Sequence, residues 1–263
     1  MLTNVEDLPA LFAANMAQYW DFPIRAMGRR RDRWDDVDVA VTDGERPGSL
    51  MNNVTLLRPL TAAEAAVTAE RSLKFFGSPA PRQFSINSFF AEVNFAPHDF
   101  FLDDRLPAMY RPAGGAAPTP PSELSIAEVT DGGSLHEFEQ VFVDGFPLSD
   151  FQPYAPDKLF DERILGDDRL RLFVGRVDDR PVSCSTAFID AGLLAVFNIA
   201  TLPQVRGRGY GTALAWAATL ADPALPATLQ ATTSGQAIYH RMGYESVAEL
   251  LIWRPSNIAD VHR

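Results

Sequence analysis

One cysteine in 263 residues leaves no disulfide framework to build within the chain. Cys184 lies in RPVSCSTAF, an apolar, β-prone stretch, and reads as a buried small side chain rather than a nucleophile. Positive charge is also short. Lys and Arg number 23 against 34 Asp and Glu, giving a net charge of −11. Neutralising phosphates needs a basic surface, so nucleic acid is not an expected partner. An acidic surface confers solubility and is compatible with steering a cationic substrate such as an amine. Long hydrophobic runs are missing: no stretch reaches the roughly 18 apolar residues that span a bilayer. The start, MLTNVEDLPALF, lacks a basic region followed by an apolar run, so neither signal peptide nor membrane anchor is expected and a cytoplasmic protein is the default. The 4 histidines, His98, His136, His240 and His262, show no metal-ligand spacing, and no metal is expected.

What is present is the composition of a folded protein, 46% hydrophobic and 22% charged, with enough chain for each half to bury a core. RPAGGAAPTPPSE (111–123) is rich in Pro, Gly and Ala and has no hydrophobic period. It divides the chain into residues 1–112, a linker at 113–122, and residues 123–263. PAMYRP (107–112) and LLIWRP (250–255) give both halves the same ending, a short aromatic strand closed by Arg-Pro, which fits a duplicated domain.

In the second half the spacing predicts a strand at LSIAEV and a helix at SLHEFEQVFVDGF, with Leu135, Phe138, Val141 and Phe142 on one face. A second short helix in PDKLFDERILG ends at Gly166. LRLFVGRV, PVSCSTAFID and LLAVFNIATL follow as strands. An Ala-rich helix from about Thr212 to Ala221, a strand at ATLQATT, a short helix at GQAIYHRMG and a last strand at ELLIWRP complete the order β-α-α-β-β-β-α-β-α-β. The first half shows a helical period in VEDLPALFAANMAQYW and strands at VDVAVTDG, NNVTLLRPL, RQFSINSFF and PAMYRP. TAAEAAVTAERSLKFFG is a helix whose Thr61 and Glu64 form a capping box. RRRDRWDD (29–36) carries three aspartates that cancel most of its positive charge, and reads as a solvated loop.

The most informative stretch is LPQVRGRGYGTAL (202–214), where Gly207, Gly209 and Gly211 alternate between a strand and a helix. Glycines let successive N–H groups turn inward and let a ligand approach without a Cβ in the way. The helix adds the positive end of its dipole, and Arg206 and Arg208 add charge at the rim. The layout is that of a cradle for phosphate or diphosphate, the alternative being a glycine-rich turn that merely joins strand to helix. A Walker A loop would need a lysine, absent at Tyr210-Gly211-Thr212. A dinucleotide fingerprint would need G-x-G-x-x-G and an acid ending the next strand. A kinase loop would need a longer chain downstream.

These residues resemble the GCN5-related N-acetyltransferases, whose coenzyme A signature Q/R-x-x-G-x-G/A lies between the fourth strand and third helix. Arg206 to Gly211 matches it. LQATTSGQAIYHRMGY (229–244) resembles the family's second signature, with Tyr239, Gly243 and Tyr244 in the matching places. The resemblance covers about residues 123–255. It implies a tandem α+β fold with a mixed sheet flanked by helices in each half, and acetyl-CoA (coenzyme A) as co-substrate. The acetyl group would pass directly to a primary amine of a small molecule or peptide, in a monomer or homodimer. Ile199, Ala200 and Thr201 would pair with the pantetheine arm. Arg206, Gly207, Arg208, Gly209, Tyr210, Gly211 and Thr212 would hold the diphosphate, and Tyr239 would be the general acid. Many relatives place a glutamate on the fourth or fifth strand, where this chain has Asn198 and Gln230. A water chain, a loop carboxylate such as Asp144 or Asp150, or an already neutral amine would serve instead. His240 is expected at the surface. The first half resembles a degenerate copy without the glycine loop, and acetyl-CoA is not expected to bind there. The rival reading is a non-catalytic acyl-CoA-binding or sensing protein, and a third possibility, left open by the sequence, is an acyl donor longer than acetyl.

Overall fold

Apolar residues recurring every third or fourth position set the first element. In the computed structural model, which describes residues 7–45, 50–77, 82–146, 148, 151–156, 158–233 and 235–256, α1 (Leu8–Ala26) buries Leu8, Phe12, Met16, Tyr19 and Phe22. The chain divides into two compact units. The first comprises Met1–Ala108, Gln230–Thr233 and Ser246–Arg263, and the second Met109–Leu229 and Ser234–Glu245. The division at Ala108/Met109 lies ahead of the segment read as a linker, 113–122, which falls inside the second unit. The chain's last strand belongs to the first unit.

The first unit continues with β1 (Arg31–Trp34), β2 (Val39–Thr42), β3 (Asn53–Leu56), α2 (Ala62–Phe76), β4 (Ser85–Ser88), most of β5 (Phe100–Arg111), and β11 (Glu245–Pro255). Its strand order is β1-β2-β3-β4-β11-β5. β3 and β4 run parallel, which the crossover helix α2 requires. β1 corrects the reading of RRRDRWDD as a loop: its arginines face solvent while Trp34 is buried, and it pairs antiparallel with β2. Phe76 and Phe84 stack at 4.5 Å, and Phe84 meets Phe100 at 5.9 Å. The capping box of α2 is present: Thr61 Oγ1 accepts from the Glu64 amide, and Glu64 Oε2 accepts from the Thr61 amide at 2.8 Å. Arg58 pairs with Glu64 at 2.7 Å and is the main reason that its carboxyl lies at about 2, with the Thr61 amide second.

The second unit contains β6 (Ser125–Glu128), α3 (Gly132–Gly145), β7 (Leu170–Val177), β8 (Arg180–Asp190), β9 (Leu193–Thr201), α4 (Tyr210–Thr219), all but the last residue of β10 (Ala227–Gln230), and α5 (Gln236–Arg241). The order β10-β9-β8-β7-β6 is antiparallel except for the parallel pair β9 and β10. α3 and α4 both pack on β7, β8 and β9. The expected mixed α+β fold and order of elements are found. The second short helix of this half is a 3₁₀ turn, Glu162–Gly166, capped by Asp161.

Glu139 departs from the apolar face of α3 on which it lies. It is fully buried, and its Oε1 accepts from the amides of Leu159 (3.2 Å) and Phe160 (2.7 Å). Its Oε2 accepts from the Tyr154 hydroxyl at 3.1 Å. Burial holds this carboxyl above the usual range, against the hydrogen bonds that pull it down. Glu139→Ala strands those donors and is expected to lower stability by about 3 kcal/mol or more, measured by denaturant unfolding. Because the folded value is raised, the wild type gains from this site at low pH and loses that gain as pH rises through the raised value. Glu139→Gln keeps the acceptor for both amides, and its stability is expected to lack that fall with pH.

Candidate active site

The end of β9 and the start of α4 are joined by a loop in which three glycines answer to different constraints. Gly207 and Gly209 have φ of +80° and +84°, backbone that other residues enter only with strain. Gly211 is ordinary in φ, but an added Cβ would stand 2.9 Å from Thr201 Oγ1, so its lack of a side chain lets α4 sit close on β9. Gly209 is the N-cap of α4 and offers no side-chain acceptor. The first helical bond runs from the Ala213 amide to Gly209 O at 3.0 Å. Among the described residues, the amides from Gly207 to Thr212 have no protein acceptor. Such donors at a helix N-terminus favour an anion.

The side chains of this loop divide the work. Arg206 turns away from the role of rim charge: its Nη2 donates to Gly145 O at 2.6 Å and its Nε to Thr201 O at 3.1 Å. It therefore ties the end of α3 to the end of β9. Gly145 permits that contact, since an added Cβ would meet Ala200 Cβ and the Thr201 backbone at 3.2 Å. Arg208 stands near Glu123, whose carboxyl is held below the usual range by a backbone amide first, then by the Tyr210 hydroxyl, with the Arg208 charge a smaller contribution. Tyr210 is 1% exposed, so it offers the cradle only its amide. Its hydroxyl donates to Glu123 at 2.9 Å. Thr212 begins the outer face of α4.

β9 carries an irregularity where the pantetheine arm is expected. Cys184 pairs with Ala200 and Thr186 with Phe197, so Asn198 and Ile199 together oppose Ser185. Asn198 has φ of +51°. β10 follows β9 only through Leu194 and Ala195, which leaves Ile199, Ala200 and Thr201 without a β10 partner among the described residues. On the other side Ser183 Oγ donates to Ala200 O at 2.6 Å and meets Thr201 Oγ1 at 2.8 Å. Cys184 is fully buried, donates to Asn198 O, and has its thiol pushed up by burial, as the sequence suggests for a packing residue.

Tyr239 stands half-buried on α5, edge-on to Tyr244 with centroids 6.1 Å apart. Its hydroxyl has no hydrogen-bond partner among the described residues, and burial pushes it up to about 12. It is a phenol that holds its proton at neutral pH and has it free to donate. Tyr244 is fixed by a 2.7 Å bond to Thr219. Among the base candidates, Asn198 Nδ2 donates to Thr186 and does not titrate, and Gln230 belongs to the first unit. Asp144 precedes Gly145 and accepts from Gln152 at 2.8 Å. Asp150 and His262 lie outside the described residues. His240 is exposed, with Nδ1 against Tyr244 O at 3.0 Å. No group of three or more His, Cys, Asp or Glu placed to hold a metal occurs among the described residues. No helix there is long and apolar enough to cross a membrane.

The sequence reading missed Glu139 and the turned-in Arg206. The first had a signal: at i+4 from Leu135 it falls on the helix face assigned to the core. The second had none, because Gly145 is remote in sequence.

Residues 135–244 match the family model described as Acetyltransferase (GNAT) family. No curated protein matches the chain. Among solved structures, a GCN5-related N-acetyltransferase from Kribbella flavida is similar over 94% of this chain and 95% of its own, with TM-score 0.70 and 19% identity. One from Sphaerobacter thermophilus is similar over 96% and 93%, with TM-score 0.55 and 14% identity. A functionally unknown conserved protein from Staphylococcus epidermidis ATCC 12228 is similar over 91% and 99%, with TM-score 0.59 and 14% identity. At these identities the likeness is one of fold, and it runs through both halves of the chain. The segment that matches the acetyltransferase (GNAT) family model contains the loop from Arg206 to Thr212 as well as Tyr239, Gly243 and Tyr244.

Proposed function

We propose that this chain transfers the acetyl group of acetyl-CoA directly to a primary amine of a small molecule or peptide. The observation that carries the reading is the run of amides from Gly207 to Thr212 at the mouth of α4, without a protein acceptor among the described residues, beside the end of β9 that β10 does not pair with there. Acetyl-CoA supplies an activated acyl carbon and a thiolate leaving group. The loop amides would hold its diphosphate, and the backbone of Ile199, Ala200 and Thr201 would pair with the pantetheine arm as with an added strand. The ladder is irregular at Asn198 and Ile199, and a backbone N–H released there would stabilise an oxyanion.

Tyr239 would meet the developing thiolate. With its own value near 12, above the roughly 8.5 of an ordinary thiol, it serves first as a hydrogen-bond donor to sulfur. The acceptor amine must be neutral to attack, and a free alkylammonium has a pKa of about 10.4. Neither Asn198 nor Gln230 can take that proton. Asp144, water or a substrate of lowered basicity takes this role.

The missing strand carboxylate favours one other reading, an acyl-CoA sensor without turnover. Calorimetry with acetyl-CoA followed by thiol release against a broad amine panel separates the two, since tight binding with no amine-dependent release supports the sensor. Tyr239→Phe is expected to lower kcat by about 100-fold or more while the Kd for acetyl-CoA stays within about twofold. Full activity in this variant removes Tyr239 from the chemistry. Gly209→Glu places a carboxylate in the cradle at φ +84° and is expected to abolish CoA binding by calorimetry. Unchanged affinity removes the loop assignment.

A further inference from the structure

The helix that carries Tyr239 has little of its own to hold it. α5 (Gln236–Arg241) buries none of its residues fully, and its N-cap Gly235 supplies no side-chain cap. Its other end is fixed. The Tyr244 amide donates to Tyr239 O and the Gly243 amide to His240 O, each at 3.0 Å, with Gly243 at φ +87°. These two bonds close a Schellman turn. Arg111 Nε donates to the carbonyl of Met242, inside that turn, at 2.9 Å. We propose that Arg111 is the positioning residue for Tyr239, holding the phenol for proton transfer without itself touching substrate. This rests on the reading of Tyr239 as the proton donor, and it brings in a residue that lies ahead of 135–244, the segment that matches the family model.

Arg111 is itself held. Its Nη1 donates to Gly114 O at 2.8 Å and to Pro112 O at 3.2 Å. The chain turns back round the guanidinium: a Cβ on Gly115 would stand 2.5 Å from Nη2, so this glycine leaves the room that the guanidinium fills. The guanidinium carbon lies over the Trp216 ring of α4, 5.1 Å from its centroid. Three residues further along the same side of α4, Thr219 bonds the Tyr244 hydroxyl, and the Tyr244 ring meets Tyr239 edge-on. α5 is thus fastened to α4 twice, by Arg111 over Trp216 and by Tyr244 on Thr219. All of these residues belong to the second unit.

The stretch Arg111 to Gly115, which reads from sequence as the edge of a linker, therefore works as a clamp. The acceptors it serves are carbonyls, so the demand is one of direction as well as charge. A guanidinium presents Nε and Nη1 in one fixed plane, towards Met242 O and Gly114 O together. A lysine ammonium is a single point of charge on a flexible stem and does not reproduce that fork.

Arg111→Lys and Gly115→Ala, each made also in the Tyr239→Phe background, test this on the full chain. The probes are acetyl-CoA and the amine of the panel that releases thiol fastest. Arg111→Lys is expected to lower kcat by at least about tenfold while the Kd for acetyl-CoA stays within about twofold. Gly115→Ala pushes on the guanidinium and is expected to lower kcat in the same sense; it decides the matter should Arg111→Lys not fold. In the Tyr239→Phe background neither substitution is expected to cost more than about twofold, because the hydroxyl they would displace is gone. A second readout needs no turnover. With ring-¹³C tyrosine, the Tyr239 signal, identified by its loss in Tyr239→Phe, is expected to shift in Arg111→Lys. A Tyr239 signal that does not move, or a kcat that does not fall, overturns the proposal. So does a loss of rate as large in the Tyr239→Phe background as in the wild type. Full activity in Tyr239→Phe alone overturns the reading of Tyr239 beneath the proposal, and is told apart because it appears with Arg111 intact.

Discussion

The second unit is organised around backbone donors that the protein does not use itself. Two residues with positive φ, Gly207 and Gly209, turn the chain between β9 and α4, and the amides up to Thr212 find no acceptor among the described residues. Leaving such donors unpaired has a cost that a bound anion removes. The neighbouring details serve this arrangement. Gly211 lets the helix settle against Thr201, Arg206 ties the ends of α3 and β9 together, and Tyr210 points inward to Glu123. Their shared effect is to hold the donors still, which is what preorganised binding requires.

The first unit shows the same crossover with the opposite solution. β3, α2 and β4 repeat the parallel pair and connecting helix of β9, α4 and β10. At the start of α2, however, the chain supplies its own acceptors, with Thr61 and Glu64 closing a capping box and Arg58 paired to the Glu64 carboxylate. The start of α2 carries its own carboxylate where the start of α4 carries none. One architecture thus yields a helix start closed by its own side chains in one unit and one open to an anion in the other.

Much of this was legible because it is local. The strands from Leu170 to Thr201 follow from apolar runs broken by turns, the capping box from four consecutive residues, and the cradle from glycines at fixed offsets between strand and helix. What escaped the sequence depends on distant pairings. β1 looked like a charged loop, because three of its four residues face water and only its pairing with β2 makes it a strand. Arg206 reads as a phosphate ligand until Gly145 O is found within 2.6 Å. Residues 117–121 read as part of a linker, since nothing in Ala-Pro-Thr-Pro-Pro tells that they line a cavity together with residues of α4. Glu139 is the intermediate case: its place on an apolar helix face is visible, but the amides of Leu159 and Phe160 that satisfy it are not.

The open donors between Gly207 and Thr212 can be watched directly. In ¹⁵N-resolved NMR of the full chain titrated with CoA, the amide protons of Gly207, Gly209 and Gly211 are expected to move downfield and to become protected from exchange. Saturable CoA binding that leaves those three amides unmoved, and perturbs another surface instead, would contradict the central claim.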